Sequence, residues 1–181
     1  TYTVQYAIDS IHYAVDNGAR VSNNSYGVAA NALTQAERAE VYATIQYATS
    51  RDHVVVAAAG NDSSDNDLVP FVPASYDLPN IIAVAATDKQ DTLASFSNYG
   101  ATSVDLGAPG RTILSTVPDG HYTNYFGTSM ATPHVAGAAA LVLGAKPQAT
   151  PQMVRDQLVA DASPNKIGNP GTGSPNKLLF T

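Results

Sequence analysis

Gly127-Thr128-Ser129-Met130-Ala131-Thr132-Pro133-His134-Val135-Ala136-Gly137 is the stretch that decides how this chain folds. A Gly-Thr-Ser turn runs into small apolar residues, Ala136 through Leu143, and predicts a helix beginning close to Ser129. The start of a helix gathers backbone N–H groups that lack internal acceptors, together with the positive end of the helix dipole. A serine hydroxyl placed there sits where an oxyanion can develop. Pro133 is expected in the first turn, where its missing N–H would have had no helical partner. Gly137, Ala138, Ala139 and Ala140 carry no bulky outer side chain, so the helix is expected to be buried on nearly all sides. An isolated Gly-Thr-Ser would say no more than that a buried Ala/Gly helix has a serine cap; the companion segments give it chemistry.

Composition narrows the class. The 181 residues suit one domain with a sizeable core, and 44% apolar against 13% charged residues argues against disorder. Acidic residues outnumber basic ones 15 to 9, for a net charge of −6, and no Lys/Arg cluster is present to follow a phosphate backbone, so nucleic acid is not an expected partner. No apolar run approaches the roughly 18 residues that a membrane span needs, and no basic-then-apolar leader is seen, so a membrane is not expected either. Absence of cysteine excludes disulfides and thiolate metal sites.

Working outward, Val4, Ala7, Ile8, Ile11, Ala14 and Val15 recur at helical spacing, and Asn17-Gly18 supplies a left-handed stop. His12 on that helix reads as a surface or half-buried side chain. Arg20 to Ser25 forms a short strand whose exit, Ser25-Tyr26-Gly27, falls where α/β sheets build their ligand crevice. Thr34-Gln35-Ala36-Glu37 has the capping-box pattern and starts a helix running to about Ser50 on the outside of the sheet. The β-branched run from His53 to Ala59 predicts a strand covered on both faces, ending at Gly60-Asn61. Asn61 to Pro79 is a long connection; its Asp62, Asp65 and Asp67 lack the Gly and distal Glu of an EF-hand and read as a solvated acidic loop. Further strands are expected at Pro79–Ala86, Thr112–Thr116 and Tyr122–Phe126, with His121 facing solvent at the turn between the last two. Thr150-Pro151 opens a last helix reaching about Ala160, and Leu178-Leu179-Phe180 adds a short closing strand.

Taken whole, Gly127 to Gly137 resembles the nucleophile segment of the subtilisin-like serine proteases, in the version seen in proteinase K and its bacterial relatives. Val21-Ser22-Asn23-Asn24-Ser25-Tyr26-Gly27, Ala58-Ala59-Gly60-Asn61, Ser95-Phe96-Ser97-Asn98-Tyr99-Gly100 and Val104 to Gly110 are similar to segments of the same family. The resemblance implies an α/β fold with a mostly parallel sheet and helices on both faces. It implies Ser129 as nucleophile and Asn61 as an oxyanion donor, a neutral amide that stabilises the developing charge without a charge of its own to desolvate. It makes Ser25, Tyr26 and Gly27 the strand on which an extended peptide pairs, and Ala58, Ala59 and Gly60 the wall of a side-chain pocket. Proteinase K-like members bind calcium at positions matching the Pro79 and Ile81 carbonyls and the Asp105 carboxylate. Asp105 reads equally well as a hydrogen-bonding partner of nearby backbone. Secretion is implied by the family alone.

A serine hydroxyl needs a base, and the base needs an orienting acid. The family draws both from an Asp-Ser/Thr-Gly and a His-Gly-Thr-His segment, and neither occurs in this sequence. His134 lies five residues past Ser129, roughly 140° around a helix, and is expected to be a packed histidine bonded to nearby backbone. Residues 1–181 are therefore expected to be the C-terminal portion of a single subtilisin-like peptidase domain, incomplete on its N-terminal side. The expected activity is peptide-bond hydrolysis through an acyl-enzyme on Ser129. The chain alone is expected to be inactive until the missing Asp/His portion joins it, as a separate chain or as a lost segment. The alternative is a non-catalytic peptide-binding module that keeps the groove.

Overall fold

The computed structural model describes residues 4–180. Helix α1 (Val4–Asp16) stops at Gly18, whose φ is +79°, and the chain enters β1 (Val21–Asn24) and then the short β2 (Val28–Ala29). Helix α2 (Gln35–Thr49) begins in the capping box that the sequence predicts: Glu37 N donates to Thr34 Oγ1 at 3.2 Å, and Thr34 N donates back to Glu37 Oε2 at 2.8 Å. Next come β3 (Val54–Ala58), β4 (Phe71–Val72), β5 (Ile81–Thr87), β6 (Leu106–Pro109), β7 (Ile113–Val117) and β8 (His121–Tyr125). Helices α3 (Thr128–Ala145) and α4 (Pro151–Asp161) and strands β9 (Ser163–Pro164) and β10 (Lys177–Leu178) complete the chain. Thr150 caps α4 by accepting from Met153 N at 3.3 Å, with Pro151 behind it, as expected.

The main sheet runs β1-β3-β5-β6-β10-β9, parallel throughout except for β9. Strands β3 and β5 are buried at every position, and their alternation divides them between two cores. Val54, Val56, Ile82 and Val84 pack against α3 and α4 through Val135, Ala139 and Val154, while Val55 and Ile81 pack against α1 and α2 through Ile11 and Ile45. The result is a sheet with helices on both faces, as the sequence predicts, because no strand edge-to-edge arrangement could cover both sides of such apolar runs.

Two local expectations change. Helix α3 is not enclosed all round: Gly137, Ala140 and Gly144 are exposed and Leu141 is 71% exposed, because small residues suit a solvent face as readily as a tight interface. The acidic loop is not simply solvated either. Asp67 accepts from Ala101 N at 2.7 Å, Thr102 Oγ1 at 3.0 Å and Ser103 N at 3.0 Å, fastening residues 101–103, and against the cost of burial the donors of that segment hold its carboxyl below the usual carboxylate range. Strands β7 and β8 pair with each other in a separate two-stranded sheet. That hairpin leaves the fold and returns to it at one place, where Gly127 N donates to Gly110 O at 2.8 Å.

His53 enters β3 with no exposed surface, and burial pushes its imidazole pKa down. Its folded-state pKa therefore lies below the unfolded value, and the unfolded chain binds a proton first as the pH falls. Unfolding free energy is expected to decline from about pH 7 toward pH 5, by no more than about 1.4 kcal/mol per unit for this one group. Urea titrations across that range check it, and His53→Gln should show a shallower decline.

Candidate active site

Four segments meet at the start of α3. Thr128 N donates to Asn61 Oδ1 at 2.8 Å, and Thr128 Oγ1 donates to the same oxygen at 3.0 Å. Both bonds fix which way the amide points: its oxygen is taken, and Nδ2 is left facing Gly127 and Ser129. An ideal Cβ at Gly127 would lie in ordinary contact with Asn61 Nδ2 and Ser129 N, each at 3.6 Å, and with Asn61 Oδ1 at 3.7 Å, so the strand-tip amide and the Ser129 N–H both border the space beside Gly127. Gly127 has φ +151°, a conformation that other residues rarely adopt. The helix start and the amide at the strand tip thus address a common point.

The strand tip is held from below by two buried amides. Asn66 Nδ2 and Asn98 Nδ2 both donate to Ala59 O, at 2.8 and 3.1 Å, and Asn98 Oδ1 accepts from Asp62 N and Ser64 N at 2.8 and 3.1 Å. Gly60 is required beside them, since a Cβ there would lie 2.4 Å from Asn98 Nδ2. Ala58 and Ala59 expose almost no surface. They are 2% and 0% exposed, and Ala59 packs with Ala85 and Val104, because β3 is covered on both faces. Their side chains back the site from inside, Gly60 is buried with them, and Asn61 is the first exposed residue of the strand tip.

Ser129 and Ser25 are clasped reciprocally. Ser25 Oγ donates to Ser129 O at 2.8 Å, and Ser129 Oγ donates to Ser25 O at 3.2 Å. Pro133 explains the first bond. It lies inside α3 rather than in its first turn, and four residues after Ser129 it brings no N–H to the carbonyl that a regular helix would satisfy. The free carbonyl binds the exit of β1 instead. Gly27 follows, packed so closely on Phe71 and Val72 of β4 that a Cβ would overlap them, at 2.2 and 2.8 Å. Tyr26 borders a mostly apolar cavity of about 260 Å³, with Gly27, Val41, Val72 and Pro73.

His134 bonds to Met130 O through Nδ1 at 2.9 Å and is exposed rather than packed, on the open side of α3. His12 packs against Tyr47 with the rings tilted by 38°, His53 is buried beside the sheet and His121 is exposed on the hairpin. Among the described residues none of the four imidazoles meets the Ser129 hydroxyl, which is bonded to Ser25 O.

The calcium expectation meets a different arrangement. Arg155 Nε donates to Asp105 Oδ1 at 2.8 Å, Arg155 Nη2 pairs with the same oxygen at 2.6 Å, and Ala83 N donates to Oδ2 at 2.7 Å. Burial pushes the Asp105 carboxyl pKa up, and the guanidinium opposes it. Ile81 and Asp105 border a cavity of about 190 Å³ that Arg155 also lines, whereas Pro79 is exposed and does not line it, lying in the bend that Ile81 N closes on Leu78 O. With both carboxylate oxygens engaged and the negative charge already matched, the residues present do not fit a calcium ion. Among the described residues no three acidic or histidine side chains gather as an alternative.

Sequence context alone does not reveal the parts that Thr128, Pro133, Asn66, Asn98 and Arg155 play here. Thr128 and Asn98 lie inside motifs quoted above and so carry a signal; Arg155 acts on a residue 50 positions away and carries none.

Comparisons with known proteins fit this geometry. Residues 2–177 match the family model of the subtilase family. A thermophilic serine proteinase of Bacillus sp. strain AK1 is 49% identical over 134 residues, covering 74% of this chain and 30% of its own length. Alkaline elastase YaB of Bacillus sp. strain YaB is 40% identical over 88% of this chain and 38% of its length. A solved cold adapted subtilisin-like serine proteinase superposes with a TM-score of 0.86 at 35% identity, over 99% of this chain and 62% of that one. The prenylagaramide maturation protease PagA gives 0.82 at 30% identity, over 99% and 66%. The chain thus spans well under half the length of the two Bacillus relatives.

Removal of the guanidinium leaves Asp105 buried with one backbone donor. Arg155→Ala is expected to lose about 2 to 3 kcal/mol in urea unfolding, less than a fully enclosed pair because the arginine side chain is 26% exposed. Millimolar calcium is expected to leave the melting temperature of the unaltered chain where EDTA leaves it.

Proposed function

The chain belongs to the subtilase family, and from that we propose that it carries the nucleophile and oxyanion half of a serine endopeptidase acting on extended peptides. The observation that supports this most is the convergence of Asn61 Nδ2 and Ser129 N on the space beside Gly127. Attack by Ser129 Oγ on a peptide carbonyl carbon would place the new oxyanion between those two donors, and collapse would expel the amine and leave an acyl-enzyme. The proton must pass from the hydroxyl to a base and from it to the leaving nitrogen. None of the described histidines meets the Ser129 hydroxyl, so we assign that base and its orienting acid to residues outside these 181. Ser25 to Gly27 offer backbone to the peptide, and the cavity beside Tyr26 offers an apolar seat. An extracellular setting accords with the family resemblance, and among the described residues no helix is long and apolar enough to cross a membrane.

The reciprocal Ser25–Ser129 clasp also supports a second reading, a module that holds peptides without cutting them. Labelling separates the two. In the full-length protein that carries this chain, a fluorophosphonate is expected to add to Ser129, and Ser129→Ala to abolish both labelling and turnover. Labelling that never occurs, combined with peptide binding that survives Ser129→Ala, would establish the binding module. Asn61→Leu is expected to cost roughly 3 to 4 kcal/mol in transition-state stabilisation, the magnitude known for loss of the oxyanion-hole asparagine in a subtilisin, read as a fall in kcat with little change in KM. The 181 residues alone are expected to hydrolyse casein negligibly.

A further inference from the structure

Strand β1, at one edge of the main sheet, carries the polar side chains Ser22 and Asn24 on one face, where the buried strands beside it carry aliphatic ones. They form one connected chain. His53 Nδ1 lies 2.6 Å from Ala19 O, and its Nε2 lies 2.8 Å from Ser22 Oγ. Asn24 Nδ2 donates to Ser22 Oγ at 2.8 Å and lies within hydrogen-bond reach of the Ser22 and Val56 carbonyls at 3.1 and 3.3 Å, and Asn24 Oδ1 accepts the Tyr26 phenol at 2.7 Å. His53 and Asn24 are 0% and 2% exposed, so water does not compete for these bonds.

The chemistry of each group fixes the direction of the chain. Ala19 O can only accept, so Nδ1 carries the ring proton and Nε2 accepts the Ser22 hydroxyl hydrogen. The Ser22 oxygen is then free to receive the Asn24 N–H. Together with the Ser22 and Val56 carbonyls, that bond holds the amide with its oxygen toward Tyr26, at the edge of the apolar cavity.

We propose that His53 is a positioning residue for the peptide cleft: through Ser22 and Asn24 it fixes the Tyr26 side chain, and with it the size of apolar peptide side chain that the neighbouring cavity admits. The identity of the occupant rests on the peptide-binding reading above; the coupling of His53 to Tyr26 does not. The lowered imidazole pKa agrees with the neutral ring that the chain requires.

Two readouts test it on the 181-residue chain. The first is NMR of ring-labelled histidine and tyrosine, with Tyr26 assigned through Tyr26→Phe. At neutral pH the His53 proton is expected on Nδ1. The Tyr26 ring resonances are expected to shift in His53→Leu and to return toward the parent in His53→Gln, whose side-chain oxygen can still accept from Ser22. The second is anisotropy of fluorescein-labelled hexapeptides in which each position in turn is alanine or phenylalanine. The preference between the two at the responsive position is expected to change about tenfold in His53→Leu, and the all-alanine affinity to stay put. If His53→Leu does not fold, Ser22→Ala breaks the same link and carries both measurements. A proton on Nε2, or Tyr26 resonances and side-chain preference unchanged on breaking the link, would overturn the proposal. Peptides that fail to bind the parent would remove the peptide reading, while the NMR result would still decide whether His53 controls Tyr26.

Discussion

Two hydrogen bonds from Thr128 to the single oxygen of Asn61 join the helix beneath the sheet to the tip of a central strand, and the site is built around them. Asn61 itself is exposed, on a loop, and its amide would otherwise rotate freely. The burial that makes β3 unable to shift also makes its tip a fixed reference: Ala59 O is gripped by two amides, Gly60 N donates to Thr128 Oγ1 at 3.2 Å, and the next residue is Asn61. Position at the site is therefore inherited from the double core, since a strand packed on both faces has no direction in which to slide.

Ser129 is placed by a different device, a defect in the helix that carries it. Pro133 withholds one N–H, and the unsatisfied Ser129 carbonyl recruits Ser25, 104 residues earlier in the chain. An imperfection that would cost stability in an isolated helix becomes the joint between α3 and the exit of β1. The same carbonyl in a regular helix would be closed to any other segment.

Much of this is legible in the sequence because it is local. The Thr34–Glu37 box and the Thr150-Pro151 start are spelled out within four residues, and the apolar runs of β3 and β5 announce burial on both faces. Ser129 and Asn61 are legible as members of long motifs, and the structure brings them together. What stays hidden depends on partners distant in sequence. Arg155 and Asp105 become a pair only once α4 lies against β5 and β6, and Asp67 becomes a clamp only when residues 101–103 arrive beside it. The open face of α3 escapes a sequence reading because glycine and alanine give the same signal whether they face a neighbouring element or water. Pro133 sits little more than a turn deeper than the motif suggests, and its effect on the Ser129 carbonyl depends entirely on that small offset.

The hairpin of β7 and β8 shares no ladder with the main sheet, and its two stems come together at the Gly127–Gly110 bond just before the serine. Gly110 is itself wedged there, for a Cβ on it would lie 2.6 Å from that of Ala86. Strain or length added between residues 111 and 126 stops at that knot. Residues 111–126 can therefore change in length or sequence with little demand on the packing around Ser129.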